Sequence, residues 1–348
     1  MGNNPFDQKL DENFKSWLKL RNKWSIILIV ILSIIIFMEL YSPLIMHWAS
    51  ESYIKDNLKE FANTYTQNIS SQEGKAIALV RWQYSNYKGV YTYNQFPFIP
   101  FIRFKGFDFK ICQRTDKDKD PSWVFFSKCG ACGESAMLYG ELVRAIGLKA
   151  RVIKNPGEDH SWNEVLINNS WVVMDASWNA TNVPRSYYGQ AKNLSYVFYE
   201  ENGEKIDITK EYTNKTGVLI IKLPEKYNNP NVQIISHFLS PPRDSEYKCN
   251  WINNTCKAEL GINNYTLIVS AGKFIKKYEK KEATVEENSI KEVEFKPNKL
   301  YFVPIFQSRI TVFIFDLLFI LFIWGCIGVV YSVLKTKSYF QKIKTKQA

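Results

Sequence analysis

Residues 130–136 are Gly-Ala-Cys-Gly-Glu-Ser-Ala, and apolar residues continue after them at helical spacing as far as Ile146. This spacing predicts a helix from Gly133 to Ile146 that ends at Gly147. Cys132 would then stand at the start of the helix, where unpaired backbone N–H groups and the helix dipole stabilise a thiolate. A thiolate is the nucleophile that acyl transfer requires, and a neighbouring base activates it.

The segment after this helix contains a predicted β-hairpin. Strand-like runs extend from Trp162 to Ile167 and from Trp171 to Met174. Asn168-Asn169 lies between them and suits a tight turn, because Asn tolerates positive φ. A two-residue turn at this position predicts that Ile167 lies opposite Ser170.

Two polar residues flank this hairpin. In the predicted register His160, before the first strand, and Asp175, after the second, are diagonal neighbours within reach of a hydrogen bond. Asp159 points to the opposite face, because adjacent strand residues alternate. An Asp beside an imidazole fixes its tautomer and stabilises the imidazolium. We therefore predict a catalytic triad of Cys132, His160 and Asp175, with a buried and non-catalytic packing cluster as the alternative.

Five of the six cysteines lie between two apolar segments described below. The disulfide candidates are Cys112 with Cys129 and Cys249 with Cys256, a pairing that leaves Cys132 free, although the sequence also admits other connectivities. Residues 129–132 also form the C-x-x-C pattern of a redox pair. A zinc site is a weaker alternative, because no second C-x-x-C and no His pair lies near it.

Four blocks of sequence together resemble the transglutaminase-like superfamily. They are residues 130–136, Leu142–Arg151, Asp159–Val165 and Trp171–Asp175, in this order. The Cys-Gly-Glu and His-x-Trp-x-Glu-Val forms look most like its peptide N-glycanase and microbial membrane-protein branches. The resemblance covers about residues 70–185 and implies a papain-like α+β fold.

The resemblance also implies roles for single residues. The positions that match Cys132, His160 and Asp175 form the triad of that family. Glu134, in the first helical turn, and Trp162, as a wall of the cleft, match recurrent positions that we interpret as supporting. The backbone N–H of Cys132 would contribute to the oxyanion hole. Neither a cofactor nor a metal is implied.

The rest of the chain between the apolar segments has a different pattern of apolar and turn-forming residues. From Thr213 onward, short strand-like runs separated by turns predict a small β-sandwich, so we assign residues 213–305 to it and residues 47–212 to the catalytic domain. Within the β region, Leu260–Ser270 is loosely similar to carboxypeptidase-regulatory-like β-sandwiches. Upstream, Phe96–Phe101 contains two prolines, which predict an irregular segment.

Two apolar segments, residues 24–46 and 310–334, are each long enough to cross a membrane as a helix. The flanking residues 1–23 and 335–348 carry an excess of Lys and Arg, a pattern that places both termini in the cytoplasm and the remainder outside. A cleaved signal peptide is the alternative for the first segment, although no small-x-small cleavage site follows it. The predicted fold class is an α+β papain-like core and a small β-sandwich, flanked by two transmembrane helices.

The net charge of +11 is partly explained by these two ends, and no dense basic run lies between the apolar segments. A nucleic-acid partner is therefore not needed to explain the charge. N-x-S/T sequons occur only in the segment predicted to be external, as expected of a glycoprotein. They begin at Asn68, Asn168, Asn179, Asn193, Asn214, Asn253 and Asn264.

These patterns predict a membrane-anchored, extracytoplasmic enzyme that attacks an amide carbonyl with Cys132 and passes through a thioester. Water as the acceptor would make it a cysteine protease, amidase or deglycosylating enzyme, and an amine acceptor would make it a transglutaminase. We expect a protein, peptide or cell-wall substrate at the cell surface, with the lipid bilayer as the other partner. The alternative is a non-catalytic surface module that binds or scaffolds with the same fold.

Overall fold

The computed structural model describes residues 55–89, 94–96, 99–105, 108–112, 121–191, 194–224, 227, 230–272 and 275–302, together with Ile27 and Ile31. The predicted membrane spans, residues 24–46 and 310–334, lie outside this part of the chain apart from those two isoleucines. Within the described part, no helix has both the length and the apolar composition needed to cross a membrane.

The described helices precede or interrupt the strands of the first half of the chain. They are α1 (Lys55–Thr66), α2 (Gln72–Asn86), α3 (Pro121–Ser127), α4 (Cys132–Ala145), α5 (Arg185–Ala191) and α6 (Thr209–Tyr212), with a single 3₁₀ turn at Pro156–Glu158.

The strands fall into two groups along the chain. Those of the first half are β1 (Lys88–Gly89), β2 (Asn94–Phe96), β3 (Ile99–Lys105), β4 (Asp108–Ile111), β5 (Cys129–Gly130), β6 (Ala150–Asn155), β7 (His160–Ile167), β8 (Ser170–Asp175), β9 (Ala180–Val183), β10 (Phe198–Glu201) and β11 (Glu204–Asp207). Those of the second half are β12 (Thr216–Lys222), β13 (Asn231–Ser236), β14 (Arg243–Asp244), β15 (Trp251–Ile252), β16 (Thr255–Gly261), β17 (Asn263–Ala271), β18 (Ile275–Val285), β19 (Ile290–Glu294) and β20 (Lys299–Phe302).

The central layer is a six-stranded antiparallel sheet with the order β11-β10-β6-β7-β8-β9. Ile167 lies opposite Ser170, as the predicted hairpin requires. Asn168 and Asn169 both have positive φ, 50° and 64°, so the turn uses the conformation that Asn tolerates. The local sequence therefore sets the register that brings His160 and Asp175 to one end of the sheet.

Helix α4 packs its apolar side chains against this sheet. Leu138, Tyr139, Leu142 and Val143 of the helix are buried in one cluster with Val165, Ile167 and Met174 of the hairpin. Each fully buried side chain of this size contributes roughly 1.5–3 kcal/mol of transfer free energy. The helix begins one residue earlier than predicted, at Cys132, and ends before Gly147, which has a φ of 83°. The Cys132 thiol, at the start of the helix, lies beside the residue that precedes β7, since it bonds to the backbone carbonyl of Asp159.

Two smaller sheets lie in the first half of the chain. β1 and β5 pair in parallel, with Gly89 opposite Gly130. β2, β3 and β4 form a three-stranded sheet, so the prediction of an irregular segment at Phe96–Phe101 is wrong for its described residues. Pro100 is compatible with β3 because the pairing of β3 with β4 begins only at Ile102.

The second half of the chain forms two further sheets, with the orders β15-β16-β12-β19 and β14-β13-β17-β18-β20. This arrangement agrees with the strand-rich texture predicted from Thr213 onward; the predicted domain boundaries and the packing as a sandwich stay predictions. The chain divides into two compact units. The first comprises the described residues within 1–222, 232–267 and 281–293, and the second comprises those within 223–231, 268–280 and 294–348. In the second unit, β18 and β20 pair antiparallel, with Tyr278 opposite Lys299.

Candidate active site

The nucleophile candidate is the first residue of α4. Cys132 follows Ala131, which has an extended conformation with φ −92° and ψ −174°. Glu134 is fully buried and its carboxylate accepts a hydrogen bond from the Ala131 backbone N–H at 3.0 Å. This carboxylate therefore caps the first turn of the helix. Glu134, predicted to be supporting, contacts the backbone beside the nucleophile and not the reacting groups.

The base candidate follows a tight turn. Asp159 has a left-handed conformation, with a φ of 52°, and links the 3₁₀ turn to β7, which begins at His160. The backbone carbonyl of Asp159 accepts a hydrogen bond from the Cys132 thiol at 3.4 Å. The turn thus holds the helix start and the strand start together, while the carboxylate of Asp159 pairs with Arg243.

His160 is bound to Asp175 through one ring nitrogen. Nε2 of His160 lies 2.8 Å from Oδ2 of Asp175. Burial of the imidazole lowers its pKa, but hydrogen bonds to Asp175 and to Cys132, with the negative charges of both, outweigh burial and raise the pKa of His160 to about 9. Because Nε2 is engaged by the carboxylate, Nδ1 is the nitrogen left for the thiol. The structure therefore brings the three predicted triad residues together in the order Cys132, His160, Asp175.

Asp175 is 1% exposed, and both of its carboxylate oxygens accept hydrogen bonds. Oδ1 accepts from the backbone N–H of Ser177 at 2.9 Å, while Oδ2 accepts from the hydroxyl of Tyr188 at 2.7 Å. A buried carboxylate with several donors is held in one orientation, as the third member of a triad must be.

Tyr188, on α5, was not predicted. Its hydroxyl lies 3.0 Å from Nε2 of His160 in addition to its bond with Asp175. Burial and the negative charge of Asp175 raise the pKa of Tyr188 far above its ordinary value, so the hydroxyl stays protonated and donates. No local pattern indicates this residue, since it lies thirteen positions after Asp175 in a helix with no recognisable motif.

Two tryptophans contact the imidazole from different sides. Trp162 is 1% exposed and stacks on His160 with a centroid distance of 5.7 Å. It therefore lies beneath the imidazole and does not form the predicted wall of the cleft. Trp178 is 63% exposed and meets His160 edge-on at 5.7 Å, so it is the tryptophan at the cleft.

A buried polar network supports the stacked tryptophan. Nε1 of Trp162 donates to the hydroxyl of Tyr212 at 2.8 Å, and this hydroxyl donates to Oε1 of Glu164 at 2.6 Å. Glu164 has no exposed side-chain surface and forms ion pairs with Arg151 and Arg185. Two guanidinium groups therefore compensate the charge of the buried carboxylate. Glu164 belongs to the block that carries the family resemblance, whereas Tyr212 and Arg185 come from later helices.

A cleft of about 630 Å³ opens at the thiol. It is lined by Cys132 and His160 together with Tyr84, Tyr87, Lys88, Gly89, Gly130, Ala131, Glu158, Asp159, Ala176, Ser177, Trp178 and Leu239. Thiol and imidazole are thus accessible to a substrate, while Asp175 behind them is not.

The cysteines of the described chain are paired except one. Disulfides join Cys112 to Cys129 and Cys249 to Cys256, and Cys132 is free and half-buried. Cys129 is therefore engaged with Cys112 and not with Cys132, which does not favour the redox alternative. Among the described residues, no group of three or more His, Cys, Asp or Glu side chains is placed to hold a metal ion.

Comparison with known proteins finds a match to one family model in part of this chain. Residues 102–176 match the model of the transglutaminase-like superfamily, so the predicted resemblance is confirmed. The peptide-N(4)-(N-acetyl-beta-glucosaminyl)asparagine amidase of Yarrowia lipolytica is 34% identical over 105 residues, which cover 29% of this chain and 29% of that enzyme. The Gallus gallus enzyme of the same name is 30% identical over 133 residues, covering 35% of this chain and 20% of that enzyme.

These matches are partial. The chain spans at most 29% of the length of these two relatives. A solved TGase structure has a TM-score of 0.24 and 16% identity, covering 36% of this chain and 30% of the other, and a likeness this weak supports no conclusion. The described core is a mixed α/β structure.

Proposed function

We propose that this chain, whose residues 102–176 match the model of the transglutaminase-like superfamily, is a cysteine amidase that cleaves an amide bond through a thioester on Cys132. The observation that carries the proposal is the pairing at the cleft. A free thiol at a helix start lies within hydrogen-bonding reach of an imidazole whose pKa is raised to about 9, in an accessible cleft. Buried structural cysteines have no such partner.

The resting state follows from the raised pKa of His160. Below pH 9 the imidazole is protonated, and the pair can exist as thiolate and imidazolium. The N-terminus of α4 and the imidazolium both stabilise the negative sulfur. Asp175 stabilises the imidazolium through Nε2 at 2.8 Å.

In the first half of the reaction the Cys132 sulfur attacks the amide carbonyl carbon, and a C–S bond forms. We assign the backbone N–H of Cys132, in the first turn of α4, as a donor to the resulting oxyanion. The C–N bond then breaks as the His160 imidazolium gives its proton to the departing amine. The product of this half is a thioester and a neutral imidazole.

In the second half His160 removes a proton from water, and the oxygen attacks the thioester carbonyl. The C–S bond breaks, which releases a carboxylic acid and restores the thiolate–imidazolium pair. An amine in place of water would complete a transglutaminase reaction with the same residues. The names of the two amidase relatives favour water as the acceptor and a protein or peptide amide as the substrate.

The proposal also places the site outside a cell membrane, held by the two apolar segments predicted in the sequence. Its support is the excess of Lys and Arg in residues 1–23 and 335–348, together with two disulfides, which persist in oxidising compartments. Labelling of Cys132 in intact cells by a membrane-impermeant maleimide tests this location. Labelling that requires permeabilisation would contradict it.

The catalytic proposal is tested by alkylating the full-length protein with iodoacetamide across a pH series, without reductant. We expect Cys132 to be alkylated faster at neutral pH than a cysteine without a neighbouring imidazole, because His160 can accept the thiol proton. The variant His160→Ala should lose this advantage. A Cys132 that reacts like an ordinary thiol in both proteins would overturn the proposal and favour the non-catalytic surface module.

A further inference from the structure

One wall of the catalytic cleft comes from the second half of the chain. Leu239 lines the cleft together with Cys132 and His160, although it lies about a hundred positions from the nucleophile in sequence. It belongs to the connection between β13 and β14, which we call the 237–242 segment. The match to the superfamily model ends at residue 176, so this wall is contributed by residues outside the matched region.

The residues on either side of the 237–242 segment, Ser236 and Arg243, both contact the turn that precedes His160. At its start, the hydroxyl of Ser236 donates to Oε1 of Glu158 at 3.0 Å. At its end, Arg243 pairs with the carboxylate of Asp159 at 3.1 Å. Glu158 and Asp159 are the two residues directly before His160, so the segment is tied to the base of the proposed triad from both sides.

The first of these ties is buried. Ser236 is 0% exposed, and its oxygen also accepts a hydrogen bond from Asn263 at 2.8 Å. The other carboxylate oxygen of Glu158 accepts from the backbone N–H and the hydroxyl of Ser195, at 3.1 and 2.8 Å. A Cβ at Gly157 would lie 3.1 Å from Cβ of Ser236 and 2.1 Å from the Ser195 hydroxyl oxygen. The contact therefore leaves little room for movement of the segment relative to the cleft.

The surface that this segment completes is mainly apolar. Leu239 shares the cleft with Trp178 and Tyr84, which are 63% and 52% exposed. The two carboxylates at the cleft already have partners within the protein: Asp159 pairs with Arg243, and Glu158 accepts three hydrogen bonds. Lys88 is the basic side chain of the lining. An apolar group of a substrate would bury these exposed rings and Leu239, whereas a basic group would lose water without finding an unpaired carboxylate in the lining.

We infer that the 237–242 segment determines specificity, with Leu239 forming a contact for an apolar side chain carried next to the scissile amide of the acyl donor. This inference rests on the proposed function of Cys132 and names the substrate class for that site. It assigns to the strand-rich second half of the chain a direct part in substrate selection.

The test uses full-length protein and short peptidyl chloromethyl ketones that differ in one side chain: leucine, alanine, aspartate or lysine. The Cys132 sulfur displaces chloride from the probe and forms a thioether, which peptide mass spectrometry detects. We expect the leucine probe to label Cys132 faster than the lysine probe by about tenfold or more. In Leu239→Asp this ratio should fall by at least that factor, because the new carboxylate attracts the lysine side chain and removes the apolar contact for leucine. Leu239→Ala should reduce the leucine preference without favouring lysine.

Ile290→Asp is the matched control, because Ile290 is also an apolar residue of the second half and is 69% exposed but does not line the cleft. Its probe preferences should equal those of the unmodified protein. Equal preferences in Leu239→Asp, Leu239→Ala and the control would overturn the inference. The iodoacetamide pH series distinguishes this failure from failure of the proposed function. If Cys132 is activated but shows no preference among the probes, only the role of the 237–242 segment in specificity is refuted.

Discussion

Tyr188 donates its hydroxyl hydrogen to Oδ2 of Asp175 at 2.7 Å, the same oxygen that lies 2.8 Å from Nε2 of His160. Oδ2 of Asp175 is thus shared by His160 and Tyr188, and the tyrosine hydroxyl also lies 3.0 Å from Nε2 of His160. A donor to a carboxylate reduces the negative charge available to a neighbouring cation. Tyr188 is therefore a positioning residue of the proposed triad, and it also affects the proton affinity of His160.

Tyr188→Phe should raise the pKa of His160 further, by roughly half a unit to one unit, because Asp175 then stabilises the imidazolium without a competing donor. An NMR titration of the His160 ring checks this shift. Tyr187→Phe is the control, since Tyr187 is 66% exposed on the same helix and should leave the titration unchanged. Identical titrations in both variants would show that Tyr188 only packs.

The stability of the protein should depend on the protonation of His160. Its pKa is about 9 in the folded protein against 6.5 for the unperturbed group, so the folded state binds this proton more tightly. The contribution to stability is complete below pH 6.5 and is lost as the pH rises through 9. Its size is up to about 3 kcal/mol. Urea unfolding at several pH values should show a steeper alkaline loss in the unmodified protein than in His160→Gln, and parallel curves would contradict this expectation.

Gly261→Ala should destabilise the first unit. A Cβ at Gly261 would lie 1.7 Å from the backbone carbonyl oxygen of Leu194, which cannot move aside as a flexible side chain does. Overpacking of this kind typically costs about 1–3 kcal/mol. Gly89→Ala is the control, because no atom lies within 4 Å of its Cβ position. Thermal unfolding of the two variants compares them, and equal midpoints would refute the close contact.

The disulfide between Cys112 and Cys129 should contribute to stability. It closes a loop with a sequence separation of 17, and loops of this size give about 3 kcal/mol in the chain-entropy account. The double variant Cys112→Ser, Cys129→Ser should therefore unfold at a lower urea concentration. Without reductant, peptide mapping of the unmodified protein should find Cys132 free. Recovery of a Cys129–Cys132 linkage would contradict the structure and revive the redox alternative.

Local sequence patterns determine much of the proposed site. The helix that starts at Cys132 follows from apolar spacing and a capping Glu134, which act within one or two turns. The hairpin register follows from Asn168-Asn169, because a two-residue turn leaves only one alignment of its strands. Cys132, His160 and Asp175 could therefore be placed on their elements without any knowledge of distant contacts.

Only the tertiary structure decides what surrounds these three residues. Tyr188 and Leu239 belong to elements with no motif, and they reach the site because the sheet and the later strands fold back onto it. The same folding buries Trp162 under the imidazole and leaves Trp178 at the cleft, the reverse of the prediction for Trp162. The periodicity of apolar residues predicts the structure of a single helix or strand, whereas the burial of a side chain depends on which elements pack against each other. The residues of the proposed triad can thus be recognised in the sequence, whereas the residues that line the cleft around them cannot.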